Sequence, residues 1–110
     1  MTVQHKDLSL GRWDQLSLCE QMANIGSEVC RAISWRNKGR EDLSQRASAR
    51  ALELIDFSLN SANSFSCMRE FARLREAVVD YFYGSNQFTS SEKLWRKYFD
   101  HFNYMARRHR

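Results

Sequence analysis

Along four stretches of this chain, apolar residues recur every three or four positions, and the polar intervals between them are short. That spacing lines one face of an α-helix. In the first stretch Leu18, Met22, Ile25, Val29 and Ile33 form the apolar face, and Ala23, Gly26 and Cys30 form an adjoining stripe of small residues. Ser17 and Glu20 have the spacing of a capping box, in which each side chain satisfies a backbone donor at the helix start. The predicted helix runs from there to about Asn37 and is stopped by Gly39. An interior glycine costs about 1 kcal/mol of helix propensity relative to alanine, so Gly26 predicts a close neighbouring helix as compensation.

The second helix is predicted from Glu41 and Asp42, whose charges suit the positive end of the helix dipole, to about Asn60. Leu43, Ala47, Ala51, Leu54, Ile55 and Leu59 make its inward face. A loop follows over 60–64. The third helix begins near Ser66, turns Met68, Phe71, Leu74, Val78, Val79 and Phe82 inward, and ends at Gly84, read as a left-handed cap. Its outer face carries Arg69, Arg73, Glu76 and Asp80, a solvated ladder. Thr89 and Glu92 repeat the capping-box spacing, and the fourth helix follows to near the C-terminus. Leu94, Trp95, Tyr98, Phe99, Phe102, Tyr104 and Met105 cover more of its circumference than one buried stripe requires.

Four helices joined by short loops place sequence neighbours antiparallel, so the fold class is all-α: an antiparallel four-helix bundle, up-down-up-down. A single bundle domain over 17–110 is expected behind a leader or capping segment at 1–16, where Leu8, Leu10, Trp13 and Leu16 make an apolar patch of open form.

Composition narrows the picture. With no proline and only four glycines in 110 residues, the punctuation of sandwiches and hairpins is missing. The apolar runs are short and the first residues are polar, so neither a membrane span nor a secretory signal is expected, and the protein is read as cytoplasmic. Cys19, Cys30 and Cys67 are odd in number. A helical separation of eleven residues, about 16 Å, keeps Cys19 and Cys30 apart, so free buried thiols are expected.

Charge changes the reading further. Residues 1–89 hold equal numbers of basic and acidic side chains, so the net charge of +4 resides in the last helix and its tail. Lys93, Arg96, Lys97, Arg107, Arg108 and Arg110 make a candidate phosphate-binding set, with Tyr98 and Tyr104 placed to stack on bases. The stretch from Arg31 to Arg40 is also basic and free of acids. Basic residues at helix C-termini are in addition favoured by the dipole. Two such ends, on helices one and four, fall at opposite poles of the bundle and predict no continuous basic stripe. The surplus aromatic surface, above all Trp95, Phe99, Phe102 and Tyr104, predicts a face for self-association or for a protein partner.

Metal chemistry has no support in the pattern. The three histidines, His5, His101 and His109, form no Glu-x-x-His pair and no zinc spacing, and no cofactor is expected. The segment from Arg96 to His101, an arginine followed by four residues and a histidine, resembles the signature of HEPN ribonucleases. That resemblance implies His101 as acid or base and Arg96 as phosphate clamp, at a dimer interface. Lys97 stands where that family has a smaller polar residue.

A longer resemblance runs from Trp13 to Arg108, through WDQLSLCEQMANIGSEVCRAISWRNKG, ARALELIDFSL, LREAVVDYFYG and YFDHFNYMARR. It is to a family of small bacterial helical proteins of unknown function, and it implies no catalytic residue. In size and charge the chain is similar to the bundle protein that accompanies diversity-generating reverse transcriptases and to small helical subunits of CRISPR effectors. The expected function is a non-enzymatic helical adaptor that self-associates or docks on a protein and contacts RNA or DNA through its basic last helix. A metal-independent ribonuclease and a purely protein-binding module are the alternatives.

Overall fold

The Ser17–Glu20 capping box forms: Ser17 Oγ accepts the Glu20 N–H at 3.1 Å, and Glu20 Oε1 accepts the Ser17 N–H at 2.9 Å. It opens α1, Leu18–Asn37, in a computed structural model that describes residues 12–108. The helix closes in a Schellman arrangement. Gly39 takes a left-handed φ of 75°, its N–H bonds the Arg36 carbonyl, and the Arg40 N–H bonds the Trp35 carbonyl at 2.9 Å. Helix α2 starts at once, Glu41–Ser61, and Ser64 caps α3, Phe65–Tyr83, by accepting the Cys67 N–H.

Gly84 ends α3, but not as a left-handed cap, for its φ is −107°. A side chain there would instead crowd the Asp80 carbonyl, at 3.0 Å. Helix α4, Glu92–Arg108, is capped by Ser91, which accepts the Leu94 N–H, and not by Thr89. Thr89 lies in the connection with a positive φ of 52°, because Asp80 reaches forward and binds the N–H groups of Gln87 and Phe88. That carboxylate is therefore a loop staple rather than one rung of a solvated ladder.

The helices form an antiparallel up-down-up-down bundle in which α1 packs on α2 and α4, and α2 packs on α3. Met22, Ile25, Val29 and Ile33 of α1 meet Ala47, Ala51, Leu54 and Ile55 of α2, Phe71, Leu74, Val78 and Phe82 of α3, and Trp95 and Phe99 of α4. Three positions of α1 and α3 expected inside are at the surface or its edge: Leu18 and Met68 are exposed, and Val79 is half-buried. Leu18 and Met68 stand in the first turns of their helices. Leu43 and Leu59 of α2 are likewise only half-buried.

Trp13, from the segment read as a leader, is a core residue in a single 3₁₀ turn, Trp13–Gln15. Its indole N–H donates to Ser58 Oγ at 2.9 Å, and Ser58 in turn donates to Gln21 Oε1 at 2.8 Å. Gln21 closes the ring by donating to the carbonyls of Trp13 and Leu16. Every polar atom of that buried set is thereby paired, which is what permits serine and glutamine inside. Leu8 and Leu10 lie outside the described residues.

The three cysteines are free, as expected, but each is partly exposed rather than buried. Among the described residues no helix is long and apolar enough to cross a membrane.

Candidate functional site

Antiparallel packing sets the C-terminal half of α1 beside the N-terminal half of α4. The C-terminal ends of the two helices therefore fall at opposite poles, as expected, but the other basic residues of α4 do not share that separation. Lys93, Arg96 and Lys97 belong to the start of α4 and lie at the same pole as Arg31–Arg40. Only Arg107 and Arg108 are remote, since fourteen residues of helix span about 21 Å. Arg110 and the histidines His5 and His109 lie outside the described residues.

The seam is drawn tight by Gly26. A Cβ built on that glycine would lie 2.6 Å from Phe99 Cγ and 2.9 Å from Phe99 Cβ, so the α4 ring occupies the space a side chain would need. Further along, Asn37 donates to Glu92 Oε1 at 2.8 Å, and Arg96 donates to Glu92 Oε2 at 2.9 Å. These two bonds, that of Asn37 first, hold the Glu92 carboxyl below its usual range. The Cys30 thiol is pushed up by burial, with Asp100 and Glu92 acting in the same sense and the Arg96 charge opposing. Cys30 therefore senses α4 across the seam.

Beside it opens a cleft of about 480 Å³ lined by Ser27, Cys30, Arg31, Ser34, Trp35 and Lys38. Small side chains form part of its lining and cations stand among them. Across the seam, Lys93, Arg96 and Lys97 share a shallow depression with Glu92 and Asp100. The two segments, 31–40 and 92–100, contain seven cations and two carboxylates.

Several of these cations have structural partners. Arg31 shares Glu28 with Arg50 of α2, both at 2.9 Å. Arg36 donates to the Tyr81 carbonyl and stacks on the Tyr81 ring. Arg40 pairs with Asp42. Lys38, Lys93 and Lys97 form no ion pair among the described residues.

The residues assigned to a partner face divide. Trp95 and Phe99 are spent in the core of the protomer, their rings stacked 5.9 Å apart, so neither is an interface side chain. Phe102 packs against that core, and Tyr104 alone is exposed. Tyr98 also leaves the expected stacking role. It donates to Glu70 Oε1 at 2.6 Å and lines a different cleft, between α3 and α4. Burial, then the bond to Glu70, pushes its phenol well above the ordinary range.

The α3/α4 cleft, about 370 Å³, was not legible in the sequence. Leu74, Ala77, Leu94, Trp95 and Tyr98 line it with Glu70, Arg73 and Ser90. The indole N–H of Trp95 is buried with no acceptor among the described residues.

Arg96 and His101 are not brought together within one protomer. Arg96 is held by Glu92 toward the α1 seam, and the His101 ring stands edge-on to Phe102 at 5.2 Å. Residues five apart on a helix point about 140° apart. Among the described residues no group of three or more His, Cys, Asp or Glu side chains is placed to hold a metal. No protein-family model, no curated protein and no solved structure matches the chain.

Proposed function

We propose that this protein is a non-enzymatic, cytoplasmic helical adaptor that holds RNA or DNA by its phosphates on the face shared by α1 and α4, as an accessory subunit of a larger assembly. One observation carries the reading. Cations from two segments distant in sequence converge at one pole, and three of them, Lys38, Lys93 and Lys97, have no ion-pair partner among the described residues. Lysines without an ion-pair partner are free to replace the counterions of a phosphate backbone. Trp95 and Phe99 lie inward, and Lys93, Arg96 and Lys97 are exposed at this pole beside Leu94.

Binding to a labelled oligonucleotide across a salt series tests this. Engaging about four phosphates gives log affinity against log salt a slope near −3 for a single strand. Lys93→Glu combined with Lys97→Glu abolishes binding and leaves helical content and oligomer mass unchanged. Unaltered binding by that variant rules out the face. The oligonucleotide recovered from the mixture is intact; cleavage that disappears in His101→Ala would overturn the non-enzymatic reading.

A further inference from the structure

Trp35 has no part in the core. It is absent from the buried cluster and from the half-buried residues packed against it, whereas Trp13 and Trp95 are 1% and 5% exposed. It is half-buried and lines the α1 cleft together with the short side chains of Ser27, Cys30 and Ser34. Two cations attend the ring: Lys38 Nζ is 5.2 Å and the Arg40 guanidinium 5.9 Å from its centroid.

A large aromatic outside the core, next to a vacant cleft and bracketed by cations, is the arrangement that single-stranded nucleic acid exploits. Bases stack on the ring while the flanking phosphates meet the cations. A duplex keeps its bases stacked on one another, so its phosphates alone would engage this face. The described residues hold no β-ribbon to enter a groove. The face also presents the flanks of α1 and α4 rather than a protruding helix.

We infer that Trp35 is a stacking platform for an unpaired base, and that the α1/α4 face takes single strands in preference to duplex. This rests on the nucleic-acid reading above. Lys38 and Arg40, held on the ring in the free protein, turn to the phosphates on either side of the stacked base. The chemical class of ligand is thus a single-stranded oligonucleotide, contacted on base face and backbone without a requirement for sequence.

Intrinsic fluorescence tests it, because Trp35 is the one tryptophan of the three that is not buried. Titration with oligo(dT) at low salt quenches the emission, and a blunt duplex of equal length quenches it less. Trp35→Leu, with its fold checked by circular dichroism, lowers oligo(dT) affinity by about 5- to 150-fold, the range of one base–aromatic stack, and removes the preference for single strands. Trp35→Phe, which keeps a smaller aromatic face, recovers part of it. If oligo(dT) binds without quenching and Trp35→Leu binds it equally well, the platform is refuted while the phosphate-binding face stands. If neither oligo(dT) nor duplex binds at low salt, the nucleic-acid reading fails, and the platform with it.

Discussion

Gly26 is where a single methyl group separates two opposing effects. Gly26→Ala in the middle of α1 gains about 1 kcal/mol of helix propensity. Its new Cβ, however, would sit 2.6, 2.7 and 2.9 Å from Phe99 Cγ, Cδ1 and Cβ. Carbon atoms prefer separations of about 3.5–4.0 Å, so one partner must retreat by nearly an ångström. The nearest atoms are the root of the Phe99 side chain, and a rotamer change does not clear them. Helix α4 itself must move away from α1. Overpacking of this kind costs about 1–3 kcal/mol, and the crowding at the ring root argues for the upper part of that range. The net expectation is a loss of about 1–2 kcal/mol, read as a fall in Tm of roughly 4–16 °C for a domain of this size. Thermal and urea unfolding followed by circular dichroism measure it. A double-mutant cycle with Phe99→Ala, which removes Cγ and Cδ1, isolates the contact: the double variant should be more stable than the sum of the single losses by about 1 kcal/mol. A Gly26→Ala protein that melts higher than the parent, or strict additivity in the cycle, would refute the close-approach argument.

Two further substitutions probe the polar interior. Ser58→Ala strips the acceptor from the Trp13 indole and the donor from Gln21 Oε1. Both groups are left buried and unpaired, at about 1–3 kcal/mol each, so the urea midpoint falls by the equivalent of about 2–6 kcal/mol. Tyr98 has its phenol raised above the ordinary 10.0 by burial and by Glu70, so the unfolded chain releases that proton first as pH climbs. Its contribution is therefore fully present below pH 10 and declines progressively above it, and Tyr98→Phe flattens the alkaline fall of Tm. Equal slopes for parent and variant would show that this phenol is not protected.

How much of this was legible depended on the range of the interactions. Ser17 and Glu20 form a cap from three residues apart, and Gly39 is a left-handed terminus, because both are settled within one turn of chain. The spacing of Thr89 to Glu92 favoured the wrong cap. Asp80, captured seven and eight residues downstream, sets Thr89 outside the helix and leaves the cap to Ser91. Trp95 and Phe99 looked like surplus surface because the space that receives Phe99 is made by a glycine on another helix, seventy-three positions earlier in the chain. Trp35 stood in view inside an acid-free basic stretch, but its relevance depended on what α4 sets beside that stretch.

The surplus charge of this protein is also a matter of placement. Glu28, with Arg50, ties α1 to α2, and Asp56, with Arg75, ties α2 to α3. Across the α1/α4 seam the tie is the Asn37–Glu92 bond, and the Arg96 side chain folds back on the same carboxylate. Glu92 is thus engaged, Asp100 shares the α4 depression with Lys93 and Lys97, and Lys38, Lys93 and Lys97 form no ion pair among the described residues. Exposed like charges gathered at one pole repel one another, and among the described residues only Lys38 of the three has an offsetting contact, with the Trp35 ring. Basic side chains at a helix start also oppose the dipole, which disfavours Lys93 where it stands. The helix-dipole account of basic termini therefore fits Arg107 and Arg108, in the last turn of α4, but not the cluster that opens it. Lys93, set against the α4 dipole, and Lys97, both outside any ion pair among the described residues, are the charges for which the proposed phosphate ligand would account.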